Sequence, residues 1–141
     1  MQYIVEKSVS IHATPAEVWD ALTNPEKTKK YFFHCKVFSD WKKGSSIRFI
    51  GRIFLIKKIA MRGTILQAEP EKLLQYTLTN AGDNEGSFSM VTDRLRFENG
   101  ETILSISDNV GQGEGAVQRY QRSEKGWDKV LKGLKALVER I

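Results

Sequence analysis

Residues 123–141 read SEKGWDKVLKGLKALVERI. Stepped at the period of an α-helix, Trp127, Val130, Leu131, Leu134, Leu137, Val138 and Ile141 fall on one apolar stripe. Lys129, Lys132, Lys135, Glu139 and Arg140 fall outside it. The pattern predicts an amphipathic helix running to Ile141, with Ser123 as its cap. Gly126 and Gly133 sit seven residues apart at one margin of the stripe. Each weakens a helix by about 1 kcal/mol relative to Ala. The compensation expected is close backbone approach, or room for something else beside the helix. A stripe of this kind must be buried against a second apolar layer, and the preceding chain has to supply it.

That chain is β-rich from about residue 37 to 110. SSIRFIGRIFL reads as one strand, with Lys57-Lys58 marking a turn or an exposed tip. IAMRGTILQAEP continues as a strand ending at Pro70, and KLLQYTLT follows. Residues 80–86, NAGDNEG, read as a polar loop. Asn99-Gly100 joins two strand patterns, a strong hairpin signal. Near the N-terminus, Val5, Val9 and Ile11 share one face of a strand. Thr14, Pro15 and Glu17 form a capping box for a short helix that turns Val18, Trp19 and Leu22 inward. Pro25 ends it, and Asn24 caps a second short helix running toward Tyr31 and Phe32. The order is strand, two short helices, a run of about six antiparallel strands and one long helix: an α+β domain, 1–141, with the helix covering the sheet.

Bulk properties narrow the class. At 141 residues the chain suits one domain with a real core. No apolar run is long enough to span a bilayer, and the N-terminus lacks the pattern of a signal peptide. One cysteine makes no internal disulfide, which fits a reducing, cytoplasmic setting. One Cys and two His do not build a closed zinc site, so no metal and no cofactor is expected. The net charge of +5 is spread along the chain, which reads as a solvated surface rather than a nucleic-acid footprint.

Four segments together resemble the activator of heat-shock-protein-90 ATPase homologue family: VWDALTNPEKTKKYFF at 18–33, GTILQAEPEKLLQYTLT at 63–79, VTDRLRFENGETILSISDN at 91–109 and GWDKVLKGLKALVE at 126–139. That family sits within the START-like, helix-grip (Bet v 1-like) superfamily. The resemblance implies a curved antiparallel sheet of six to seven strands wrapped around the C-terminal helix, with a hydrophobic cavity between them. It carries over no catalytic residues. The implied role is binding of a small hydrophobic molecule, lipid-like or aromatic. The alternatives are a cavity enzyme of cyclase, dehydratase or hydrolase type, and a chaperone-associated interaction domain. The stretch 50–60, IGRIFLIKKIA, is more apolar than the family pattern and suits a homodimer contact along an edge strand.

The expected cavity lining is Phe32, Phe33, Trp41, Phe49, Met61, Tyr76, Phe88, Met90, Phe97, Trp127 and Leu131, with Tyr76 or Arg94 to orient a ligand. Phe32 and Phe33 are placed at the cavity rim. His34 and Cys35 are adjacent, but neighbours in extended chain point opposite ways and do not pair as base and nucleophile. Asp93 and Asp108 read as solvent-facing strand positions; facing inward, they would suggest acid–base chemistry. GQGEGA at 111–116 matches a dinucleotide-binding fingerprint, but no second strand follows to complete a βαβ unit. It reads as a flexible loop feeding the last helix.

Overall fold

The computed structural model describes residues 2–53, 56–80 and 88–140, with side chains for all of these except 52, 53, 56–60, 80 and 88. In chain order the elements are β1 (Tyr3–Ile11), α1 (Pro15–Thr23), α2 (Pro25–Tyr31), β2 (Lys36–Ser39), β3 (Ser46–Ile53), β4 (Ile56–Glu69), β5 (Leu73–Asn80), β6 (Phe88–Glu98), β7 (Glu101–Gly111) and α3 (Ala116–Val138). The strands form one antiparallel sheet in the order β1-β7-β6-β5-β4-β3-β2.

Local chemistry sets the two short helices. The Thr14 hydroxyl accepts from Glu17 N at 3.2 Å while Thr14 N donates to Glu17 Oε1 at 3.0 Å, closing the capping box. Asn24 Oδ1 accepts from Glu26 N and caps α2. Buried Thr28 holds α2 to the sheet edge, because its Oγ1 accepts from Val37 N at 3.0 Å. Tyr31 donates its hydroxyl proton to Ala21 O at 2.7 Å and so locks α2 against α1.

β7 alternates without exception, placing Thr102, Leu104, Ile106, Asp108 and Val110 on the core face. Opposite them on β6 stand Val91, Asp93 and Leu95. α3 lays Trp127, Val130, Leu131 and Leu134 onto this face. Its polar flank is tied to β1 by the Lys7–Asp128 ion pair at 3.0 Å and by Lys135 donating to Ser10 O. Gly133 is required by close approach: a Cβ there would stand 2.9 Å from the Tyr31 Cβ. Asn99 and Gly100 both take the positive φ that a two-residue hairpin turn demands.

Three expectations need correction. Ser123 does not cap α3, which begins two turns earlier at Ala116 behind Gly115. Gly111, Gly113 and Gly115, all at positive φ, turn the chain out of β7. The loop is also held: the Arg119 guanidinium donates to the carbonyls of Val110, Gln112 and Glu114. No side chain caps the helix; Ala116 N donates to Gly113 O and Arg119 N to Gly115 O, so the chain is already helical at Ser123. Lys57 and Lys58 mark no turn; they lie within β4, paired with Arg52 and Gly51, because backbone pairing runs on to Ile53 and Ile56. The loop read at 80–86 lies, beyond Asn80, outside the described residues, as does Ile141. No described helix is long and apolar enough to cross a membrane.

Candidate functional site

The site begins where α2 stops. Phe32 N donates to Thr28 O, and Cys35 N donates to Phe32 O at 2.8 Å. Phe33 and His34 between them take φ of 49° and 60°, so the chain reverses in a tight left-handed turn. The reversal separates neighbouring rings. Phe32 goes into the core, with centroids 4.9 Å from Phe49 and 5.8 Å from Trp127. Phe33 remains 52% exposed and meets Phe32 edge-on at 5.7 Å. His34 faces solvent and Cys35 is buried. Burial pushes the Cys35 thiol up, which holds back the thiolate that nucleophilic chemistry needs.

Between this turn, α3 and the sheet lies a cavity of about 300 Å³. Phe32 and Phe33 form one lip, and α3 contributes Arg119, Arg122, Ser123, Gly126, Trp127 and Val130. Those α3 positions recur at three- and four-residue spacing, one face of the helix. The sheet side is Met61, Leu78, Thr79, Ser89, Asp108 and Val110. There is room beside Gly126 at the lip, since a Cβ there would stand 3.7 Å from the Phe33 ring, an ordinary contact. Deeper in, a hollow of about 20 Å³ is walled by Trp41, Phe49, Tyr76 and Asp93 among others. It shares Phe32, Trp127 and Val130 with the larger cavity.

Two buried carboxyl groups stand beside these spaces, Asp108 in the wall of the larger and Asp93 in that of the smaller. Asp108 Oδ2 accepts from Ser123 Oγ at 2.6 Å and from Trp127 Nε1 at 2.9 Å. Asp93 and Asp108 are 3% and 5% exposed, and the Oδ1 of each has no hydrogen-bond partner among the described residues. Burial pushes the Asp93 carboxyl up to about 8, and the negative charge of Asp108 adds to the effect. Asp93 is therefore mostly a neutral acid at pH 7. Tyr31 and Tyr76 are also raised, chiefly by burial and next by the Asp93 charge.

The expectation that Asp93 and Asp108 face solvent is thus wrong. Both occupy core-face positions because they keep step with Val91, Leu95, Leu104, Ile106 and Val110. The alternation of β7 carried that signal; a carboxylate in the series is what obscured it.

Of the expected lining, Phe32, Phe33, Met61 and Trp127 wall the large cavity, and Phe32, Trp41, Phe49, Tyr76 and Trp127 wall the small hollow. Met90 and Arg94 fall out of step with Val91 and Asp93 and point to the opposite face. Phe97 is 54% exposed beside the hairpin tip, beyond the helix. Leu131 is buried in the core but borders neither space. The Phe88 side chain lies outside the described residues. Missed by sequence reasoning were Asp108, Arg119, Arg122 and Ser123.

A sheet curved around a long terminal helix, with two short helices closing one end, is the helix-grip fold. The chain belongs to the Activator of Hsp90 ATPase homolog 1-like protein family, whose model matches residues 12–139. Among solved structures it is similar to ChR145 from Cytophaga hutchinsonii, at 31% identity over 96% of this chain and 93% of that one, TM-score 0.77. It resembles CalU16 from Micromonospora echinospora at 22% identity, covering 99% of this chain and 78% of that one, TM-score 0.77. The Aha1 dimer from Colwellia psychrerythraea aligns at 18% identity over 97% of this chain and 96% of that one, TM-score 0.75. The last two likenesses show the fold alone. No curated protein matches.

Proposed function

We propose that the protein binds a small, mainly apolar molecule in the cavity of about 300 Å³, without covalent chemistry. The observation that carries this reading is an open space, walled largely by Phe, Trp, Met, Leu and Val, where the sheet and helix would otherwise close on each other. The family's fold typically holds ligands in such a cavity. A two-ring aromatic molecule burying about 200 Å² gains about 5 kcal/mol at about 25 cal/mol per Å², a dissociation constant on the order of 0.2 mM. An amide NMR titration with 2-methylnaphthalene tests it. Shifts gathered at Phe33, Ser89, Gly126 and Val130 are the expected result; no shifts, or shifts spread over the outer face, overturn it.

The competing reading is a cavity enzyme, favoured by a neutral Asp93 beside a second buried carboxyl group, Asp108. It requires a substrate to reach both groups, whereas Asp93 borders only the small hollow. A lone buried cysteine supports placing the protein in the cytoplasm. A homodimer along the sheet edge near 50–60 is a further proposal, resting on that stretch's apolar sequence.

A further inference from the structure

We propose that, among molecules of one apolar shape, the cavity selects those that bring a hydrogen-bond donor, a hydroxyl or an amine, to Asp108. This rests on the binding reading and specifies its ligand class. Asp108 is a wall residue of the cavity, and so are Ser123 and Trp127, the two groups that donate to its Oδ2. Those two bonds fix the carboxyl group in one orientation within the wall. A carboxylate accepts through both oxygens and donates through neither. Oδ2 is doubly used; buried Oδ1 has no donor among the described residues.

No cation in the wall is paired with Asp108: Arg122 also lines the space but makes no ion pair with it. The guanidinium of Arg119, the other cation in the wall, is spent on the carbonyls of Val110, Gln112 and Glu114. No ion pair among the described residues includes Asp108. Thr79 and Ser89 also line the space, but a hydroxyl both donates and accepts and so does not discriminate. Asp108 alone in the wall is purely an acceptor, buried and incompletely satisfied. A site of that kind favours a ligand that completes it and rejects one that leaves it empty.

The test compares 2-naphthol with 2-methylnaphthalene, which match in size and differ in the donor. By apolarity alone the methyl compound binds more tightly, so the sign of the preference is diagnostic. We expect 2-naphthol to bind wild-type protein roughly ten- to hundredfold more tightly, the range for a hydrogen bond to a charged group. Asp108→Asn puts an amide NH₂ at the Oδ1 side while its oxygen keeps Ser123 and Trp127. It should bring the affinities of the two probes to within about threefold of each other, and that ratio, measured on the one variant, is the readout. A second readout needs no variant: 2-naphthol, and not 2-methylnaphthalene, should shift the Trp127 Nε1–H resonance strongly, because both share one carboxylate. Equal or reversed affinities in the wild type overturn the proposal, and so does a preference that survives Asp108→Asn. If neither probe binds, the binding reading itself falls, and the two failures are thereby told apart.

Discussion

Asp93→Asn should make stability nearly independent of pH where the wild type loses it. The carboxyl of Asp93 titrates near 8 in the folded protein against an ordinary value of 3.8. Between these values the folded state keeps a proton that the unfolded state has released. Stability must then fall as pH rises, by about 1.4 kcal/mol per pH unit while the difference is complete. The loss starts near pH 4, runs to about pH 8 and levels off above it. Below pH 4 both states hold the proton and Asp93 contributes nothing. From pH 5 to 7 the expected loss is about 2–3 kcal/mol, a large share of a typical domain's stability. The groups facing Asp93 are Asp108 on β7, Tyr76 on β5 and Tyr31 on α2; both tyrosines are raised and stay neutral across this window. Asn mimics the neutral acid in shape, and its extra N–H adds a cost that does not vary with pH. Urea unfolding of both proteins at pH 5, 6, 7 and 8 is the assay, and the difference between them is the readout. It should grow in favour of the variant as pH rises. Parallel curves would show that Asp93 is ionised in the folded state, and the electrostatic account of the site would fail.

Other consequences follow from the same packing. Gly133→Ala should cost about 1–3 kcal/mol, because its Cβ meets Tyr31 backbone and Cβ that do not yield. Gly126→Ala, on the same helix, should stabilise by up to about 1 kcal/mol, since nothing opposes its Cβ; thermal melts of the pair check the opposite signs. Phe33→Ala should weaken 2-methylnaphthalene binding several-fold with little loss of stability, while Phe32→Ala costs about 3–5 kcal/mol because Phe32 is core. Cys35→Ser should leave probe affinity unchanged, as Cys35 touches neither space.

The architecture was legible where one period dominated. The apolar stripe of α3, the capping box at Thr14, the Asn24 cap and the Asn99-Gly100 turn each state their structure locally. Helix-grip topology needed the order of those pieces and the family resemblance. The cavity was legible only in part. Phe32, Phe33, Met61 and Trp127 announce themselves as aromatic or soft apolar groups, but burial alone did not tell wall from core, as Leu131 illustrates. Met90 and Phe97 were misplaced because apolarity was read without strand parity in one case and without the helix's extent in the other. The polar wall was missed for a different reason. Ser123 looked like a helix cap because α3 starts two turns earlier, behind a glycine loop held by Arg119, three residues into the helix. Asp108 looked exposed because its partners, Ser123 and Trp127, lie 15 and 19 residues away on another element.

The central claim is that the space beside Gly126 is a binding site, and filling it tests that most directly. Gly126→Leu places a side chain into the cavity at a point where the backbone has room for a Cβ and the helix gains from losing a glycine. The measurement is the affinity of 2-naphthol for wild type and Gly126→Leu, alongside their melting temperatures. The account predicts a variant that melts no lower than wild type and binds at least about tenfold more weakly. A stable variant that binds 2-naphthol as tightly as wild type would contradict it.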